Sequence, residues 1–199
     1  MNSNMLKKFA AELFGTTLLC STVLLSLTVA FPVPTPVLVG LLIGMLMYAI
    51  GHIAGIQINP AVTLGLLSVG KMEFKLAGFY LLAQLLSAGI AVFLVSYLGG
   101  HVPVLEVSAS LRVWIAEVLG TMLLCIGIGS VAYGKVQADV YGLVLGTSVL
   151  LGTSLAVLIG SNGVLNPAVA LAIGSVNLTY VSGQIVGAVL GFYVYKWMN

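Results

Sequence analysis

Charge is what this chain has least of. Asp, Glu, Lys and Arg together make up 6% of its 199 residues, where a soluble domain carries about a quarter, and the mean hydropathy is +1.19. A water-soluble fold is excluded on that ground. Two cysteines cannot frame a disulfide scaffold, and six prolines rule out a collagen-like or Pro-rich chain. The seven Lys and Arg are scattered and the formal net charge is only +2, so no basic patch exists to bind nucleic acid. No cluster of metal ligands, nucleophile elbow or phosphate-binding loop is present. The chain therefore reads as a non-enzyme with no cofactor or bound metal.

Long apolar runs are what remain. Bounded by turn or charge signals, they fall at Phe9–Val29, Val37–Ile53, Lys75–Leu98, Leu111–Tyr133, Val140–Ile159 and Leu178–Trp197, which predicts six membrane spans. Phe31-Pro32-Val33-Pro34-Thr35-Pro36 can only be a loop. An even span count puts both termini on one side. With that side cytoplasmic, Lys7, Lys8, Lys71, Lys75, Lys135 and Lys196 lie inside and only Arg112 outside, as the positive-inside rule asks. A multi-pass protein of the cell membrane, with both termini cytoplasmic, is expected.

Lys7-Lys8 and the following apolar run could also pass for a signal peptide, but an internal repeat argues against cleavage. Ala11-Glu12-Leu13-Phe14-Gly15-Thr16-Thr17-Leu18-Leu19-Cys20 recurs as Ala116-Glu117-Val118-Leu119-Gly120-Thr121-Met122-Leu123-Leu124-Cys125, identical at seven of ten positions. Asn59-Pro60-Ala61-Val62 returns as Asn166-Pro167-Ala168-Val169, and Gln84 returns as Gln184. The expected organisation is a single membrane domain, 1–199, made of half-repeats 5–100 and 110–199. Three spans per half is an odd number, so the halves must be inverted relative to each other.

Pro60–Leu67 and Pro167–Gly174 are apolar but only eight residues long, about 12 Å of helix against a hydrocarbon core of about 30 Å. They are predicted to be re-entrant half-helices. Asn caps the free amides of such a helix and Pro suits its first position. Inversion brings the two positive N-termini together near mid-membrane, and the irregular backbone before Asn59 and Asn166 must border a cavity or be buried in protein.

On these residues the chain resembles the aquaporin and aquaglyceroporin (major intrinsic protein) family over nearly its full length. The resemblance is carried by the two Asn-Pro-Ala motifs, by Gly51-His52-Ile53-Ala54-Gly55 and by the Ala-Glu-x-x-Gly-Thr opening of each half. It implies an all-α bundle of six transmembrane helices and two half-helices. It further implies a homotetramer in the lipid bilayer in which each subunit has its own pore for water or small uncharged solutes, with Asn59 and Asn166 presenting amides to that pore. A structural role for Glu12 and Glu117, accepting hydrogen bonds from the re-entrant loops, is also implied, against the alternative of proton carriers.

Water-selective members narrow the outer pore with an aromatic residue, a His and an Arg. Here the matching positions hold Val39, either Thr153 or Ser154 according to how the fifth span is counted, Gly163 and, in place of the Arg, Val169. This set is wider and less polar. It predicts passage of neutral polyhydroxy solutes such as glycerol, and family members with Val in place of this Arg point to metalloid hydroxides such as arsenous acid. The alternatives are a water-selective channel or, further off, an inverted-repeat secondary transporter. His52 is expected either to line the cytoplasmic half of the pore or to brace its loop. Gln57 stands where many relatives have a second His, which removes pH gating through that position. Arg112 is expected to snorkel, His101 to be solvated, and Cys20 and Cys125 to pack as small apolar residues. The Gly pairs Gly40/Gly44, Gly51/Gly55, Gly142/Gly146 and Gly183/Gly187/Gly191 are expected to admit close helix contacts.

Overall fold

A computed structural model of the chain describes residues 3–99, 101–106 and 108–199. The expected end of the first half-repeat, residue 100, lies outside the described residues. Among the described residues eight α-helices follow one another: α1 Ser3–Thr28, α2 Thr35–Ala54, α3 Pro60–Ser68, α4 Phe74–Tyr97, α5 Leu111–Ala132, α6 Tyr141–Ile159, α7 Pro167–Ala172 and α8 Leu178–Met198. A 3₁₀ turn, Ala138–Val140, leads into α6. All but α3 and α7 are long and apolar enough to cross a membrane, and no strand occurs among the described residues.

The predicted spans are all found, with boundaries moved by a few residues. α1 already includes Ser3, the first described residue, because nothing between Ser3 and Phe9 breaks a helix. The half-helix α7 is shorter than expected, ending at Ala172 rather than Gly174. Gly174 takes φ +66°, and the Ser175 N–H turns back to the Ala170 carbonyl at 2.8 Å, which closes the helix early. α3 closes the same way, with Gly70 at φ +76° and Lys71 N–H on the Leu66 carbonyl at 2.9 Å. Nine residues of α3 reach only about 13 Å.

Glycine sets which helices can touch. On α2 and α6, a Cβ added at Gly146 would lie 2.5 Å from the Gly40 carbonyl oxygen and one at Gly142 2.5 Å from that of Gly44, so the two backbones are in direct contact. Gly183, Gly187 and Gly191 of α8 sit in the same way against the Trp114, Val118 and Met122 carbonyls of α5. In the matching α1/α4 contact the residues 100 positions earlier are Ala83, Ser87 and Ala91, all fully buried. The Gly51/Gly55 pair does not do this, contrary to expectation. Gly55 is the left-handed cap of α2 with nothing near it, and the space beside Gly51 is filled by Met47 of the same helix.

The half-helices enter from opposite faces. At the end of α3, Ser68 accepts a hydrogen bond from Tyr193 at 3.1 Å, and Lys71 lies 4.0 Å over the ring of Tyr133, at the C-terminal end of α5. At the end of α7, the Ile173 carbonyl accepts from Leu105 N–H at 3.0 Å, in the loop that leads to the other end of α5. The N-termini of α3 and α7 therefore meet inside the bundle.

Candidate functional site: a cavity pair around two capping asparagines

The meeting point is built from Asn59 and Asn166, each 5% exposed. Asn59 Oδ1 accepts the Ala61 N–H at 2.9 Å and Asn166 Oδ1 accepts the Ala168 N–H at 3.0 Å, capping α3 and α7. Each amide also donates across the molecule. Asn59 Nδ2 bonds the Leu165 carbonyl and Asn166 Nδ2 bonds the Ile58 carbonyl, both at 2.9 Å. With the oxygen committed to the cap and one N–H to the opposite loop, each Asn has one N–H left for the cavity that both residues line.

Ile58 and Leu165, the residues before each Asn, hold left-handed φ of +42° and +53°, and Ile56 has +47°. Such backbone costs on the order of 1–3 kcal/mol per residue and persists only where its surroundings fix it. The fully buried carboxyls of Glu12 and Glu117 do that fixing. Glu12 accepts Gln57 N–H, Ile58 N–H and Gln84 Nε2, all at 2.8 Å. Glu117 accepts Val164 N–H at 3.0 Å, Leu165 N–H at 2.8 Å, Gln184 Nε2 at 3.0 Å and the Ser161 hydroxyl. With the loop N–H groups and nearby side chains turned to the carboxyls, both acids are fully occupied, and neither lines either of the two cavities beside this centre. Gly15 and Gly120 complete the arrangement. A Cβ on Gly15 would meet Ile58 at 2.9 Å and one on Gly120 would meet Leu165 at 2.7 Å, so the Ala-Glu-x-x-Gly-Thr pattern supplies the acceptor and the gap for the same loop tip.

Two cavities flank this centre. The first, of about 410 Å³, opens toward Pro34–Pro36 and holds Asn59, Asn166 and Val169; the second, of about 490 Å³, opens toward the far ends of α2 and α5. At Pro34–Pro36, α2 begins at Thr35 and not after the last proline of the expected loop, since Pro suits the first turn of a helix. Val39, Thr153, Gly163 and Val169 all line the first cavity. Between the two ways of counting the fifth span, Thr153 is the lining residue. Ser154 is turned away, with its hydroxyl on the Leu150 carbonyl at 2.7 Å. Gly163 is left-handed at φ +66°, and a Cβ there would stand 2.7 Å from the Thr153 carbonyl, so no side chain fits. No Lys or Arg lines either cavity among the described residues.

His52 lines the second cavity and is exposed, with no side-chain hydrogen bond, so it does not brace its loop. Arg112 is exposed at the start of α5, and its side chain makes a contact the sequence did not indicate. Its Nε donates to the Ile159 carbonyl and its guanidinium packs on Gly160, so it caps the C-terminus of α6. His101 is exposed. Cys20 and Cys125 are buried free thiols that line neither cavity.

Other contributors are visible only in three dimensions. Tyr180 OH accepts the Asn162 N–H at 3.3 Å, and Ser161 Oγ accepts the Gly163 N–H at 3.1 Å, which pins the loop opposite Thr153. A signal did exist for the tyrosine: Tyr80 and Tyr180 recur 100 residues apart, as Gln84 and Gln184 do, and Tyr80 OH donates to the Ala54 carbonyl at 2.8 Å. Asn162 and Leu105, which also line the first cavity, carry no such signal.

Comparison with known proteins agrees with this geometry. The sequence model of the family described as Major intrinsic protein matches residues 1–109. Aquaporin NIP1-1 of Zea mays is 31% identical over 211 residues, covering 96% of this chain and 74% of that protein. A probable glycerol uptake facilitator protein of Thermotoga maritima is 29% identical over 192 residues, covering 80% of this chain and 81% of its own length. The X-ray structure of the aquaglyceroporin from Plasmodium falciparum superposes with a TM-score of 0.71 at 19% identity, covering 97% of this chain and 95% of that one.

Proposed function

The chain belongs to the major intrinsic protein family and is a multi-pass membrane channel for water and small solutes, not an enzyme, and from that premise we propose that it passes neutral polyhydroxy molecules larger than water. The observation that carries this reading is the wall of the first cavity. Val39, Thr153, Gly163 and Val169 border it, with no cationic side chain among its lining residues. An Arg at residue 169 would bring five donors and a fixed charge into that space; Val169 brings neither. Glycerol and undissociated arsenous acid both present neutral hydroxyl groups and are the solute candidates. The similarity to a protein described as a probable glycerol uptake facilitator supports the first.

The site is read as Asn59, Pro60, Ala61, Asn166, Pro167 and Ala168 at the centre, with Val39, Thr153, Gly163 and Val169 as the selectivity filter. The domain is read as two inverted half-repeats in one channel unit, supported by the paired Glu12 and Glu117 bonds. A homotetramer with both termini cytoplasmic completes the proposal. Passive flow is favoured over alternating access because no carboxylate lines either cavity among the described residues, leaving no ion site to couple.

Uptake into proteoliposomes tests the reading. Glycerol or arsenous acid should enter faster than into protein-free vesicles, and equal rates for both solutes would refute it. Val169→Arg should suppress the larger solute more than water. Equal loss of the two would show that residue 169 is not part of the filter.

A further inference from the structure

The two cavities share five lining residues, Ile56, Gln57, Val62, Ile128 and Leu145. Four are aliphatic, and an aliphatic ring is where a narrow aqueous path tends to empty of water. Gln57 is the one polar side chain at this neck. Its orientation is fixed: Oε1 accepts the Thr63 hydroxyl at 2.7 Å and Nε2 contacts Met72 Sδ at 3.5 Å. Thr63 is itself held by Gln84 Nε2 at 3.0 Å, and Gln84 by Glu12. The oxygen is thus turned into the protein, and what Gln57 has left for the neck is an N–H.

The other half of the molecule serves as an internal control. Two residues before the second Asn stands Val164 in place of Gln57, and four after it stands Ala170 in place of Thr63. Gln184 there donates to Glu117, while its Oε1 has no partner. The second loop keeps its left-handed turn and its Glu117 bonds without a Gln–Thr pair, pinned instead by Ser161 and Tyr180. The two loops are thus held by different side chains, and whereas Ser161 and Tyr180 line neither cavity, Gln57 lines both.

We propose that Gln57 is a specificity-determining residue of the channel, a hydrogen-bond donor held by Thr63 at the neck between the cavities, where it takes the oxygen lone pairs of water and neutral hydroxylated solutes. It keeps an otherwise aliphatic neck wetted and passes solute oxygens between the second cavity and the Asn59 and Asn166 amides. This rests on the channel reading but not on which larger solute passes, since water flux alone reports on it.

The test is stopped-flow water permeability of proteoliposomes carrying wild type, Gln57→Val or Gln57→Glu at matched protein density. Val164 shows that such a loop accommodates valine, so Gln57→Val should fold. Its water flux should fall roughly tenfold, about the weight of one hydrogen bond lost along the path. Gln57→Glu keeps the size and polarity but sets a carboxylate at the neck in place of the donor. It should raise potassium or proton flux roughly tenfold, since no Lys or Arg lines the path and only the half-helix N-termini oppose entry. Water flux of Gln57→Val equal to wild type would overturn the proposal, as would Gln57→Glu without added cation flux, because the side chain would then lie off the path. Failure of the larger-solute proposal would appear separately, as absent glycerol and arsenous acid uptake in wild type.

Discussion

At the scale of single residues, the two buried glutamates shape the channel although neither lines its two cavities. An acid inside a span is costly unless it is fully bonded, and Glu12 and Glu117 receive three and four donors respectively. Truncation leaves those donors without acceptors inside the bundle and removes what holds Ile58 and Leu165 in left-handed backbone. Glu117→Ala should therefore lower stability by about 3–5 kcal/mol, the range for breaking a buried charged cluster, and Glu12→Ala somewhat less. Thermal unfolding of the detergent-solubilised variants measures both. The repeat of Ala-Glu-x-x-Gly-Thr located these acids by sequence, and the family resemblance gave their role. Which atoms they bind was not legible, because the four backbone donors lie 45 to 48 residues away along the chain and are groups common to every residue.

At the scale of helices, contact is governed by where a side chain is missing. Gly146→Val places a branched side chain where a single Cβ already comes within 2.5 Å of the Gly40 carbonyl oxygen, and neither backbone can yield without moving a whole span. A loss at or above the roughly 1–3 kcal/mol typical of overpacking is expected, read as a drop in melting temperature. Gly78→Ala is the control. Nothing lies within 4 Å of its Cβ position in α4, so it should raise helix stability by up to about 1 kcal/mol. Spacing alone grouped Gly51/Gly55 with the true contact pairs. The structure separates them, since one is a cap and the other faces its own helix's methionine. Glycines four apart share a helix face, but whether another helix passes there is decided by the tertiary arrangement.

At the scale of the whole molecule, charge and symmetry lead to predictions about placement and assembly. Lys71 and Lys135 lie at the end of the bundle where α3 closes and α5 ends, while Arg112 lies at the other end, on the terminus of α6. In intact cells, a membrane-impermeant thiol reagent should label Ser110→Cys, beside Arg112, from outside, and should reach Gln137→Cys only after permeabilisation. Labelling in the reverse order would invert the proposed topology. Native mass spectrometry from detergent should give an assembly at four times the 20.6 kDa chain mass. A dominant monomer would count against the tetramer.

The sequence by itself determined that this is a membrane protein of six spans, that two short apolar segments begin at Asn59 and Asn166, and that no Arg stands at residue 169. These features rest on composition, on helix length against bilayer thickness and on local capping chemistry, all of which act over a few residues. Only the tertiary structure decided that Thr153 and not Ser154 faces the cavity, that Arg112 caps α6, and that Gln57 sits where the two cavities join. Each of these depends on the rotation of a helix or the path of a loop against a distant neighbour. A difference of one residue turns a side chain on a helix by about 100°, from the cavity wall to the far side, and the sequence leaves that phase open until packing sets it.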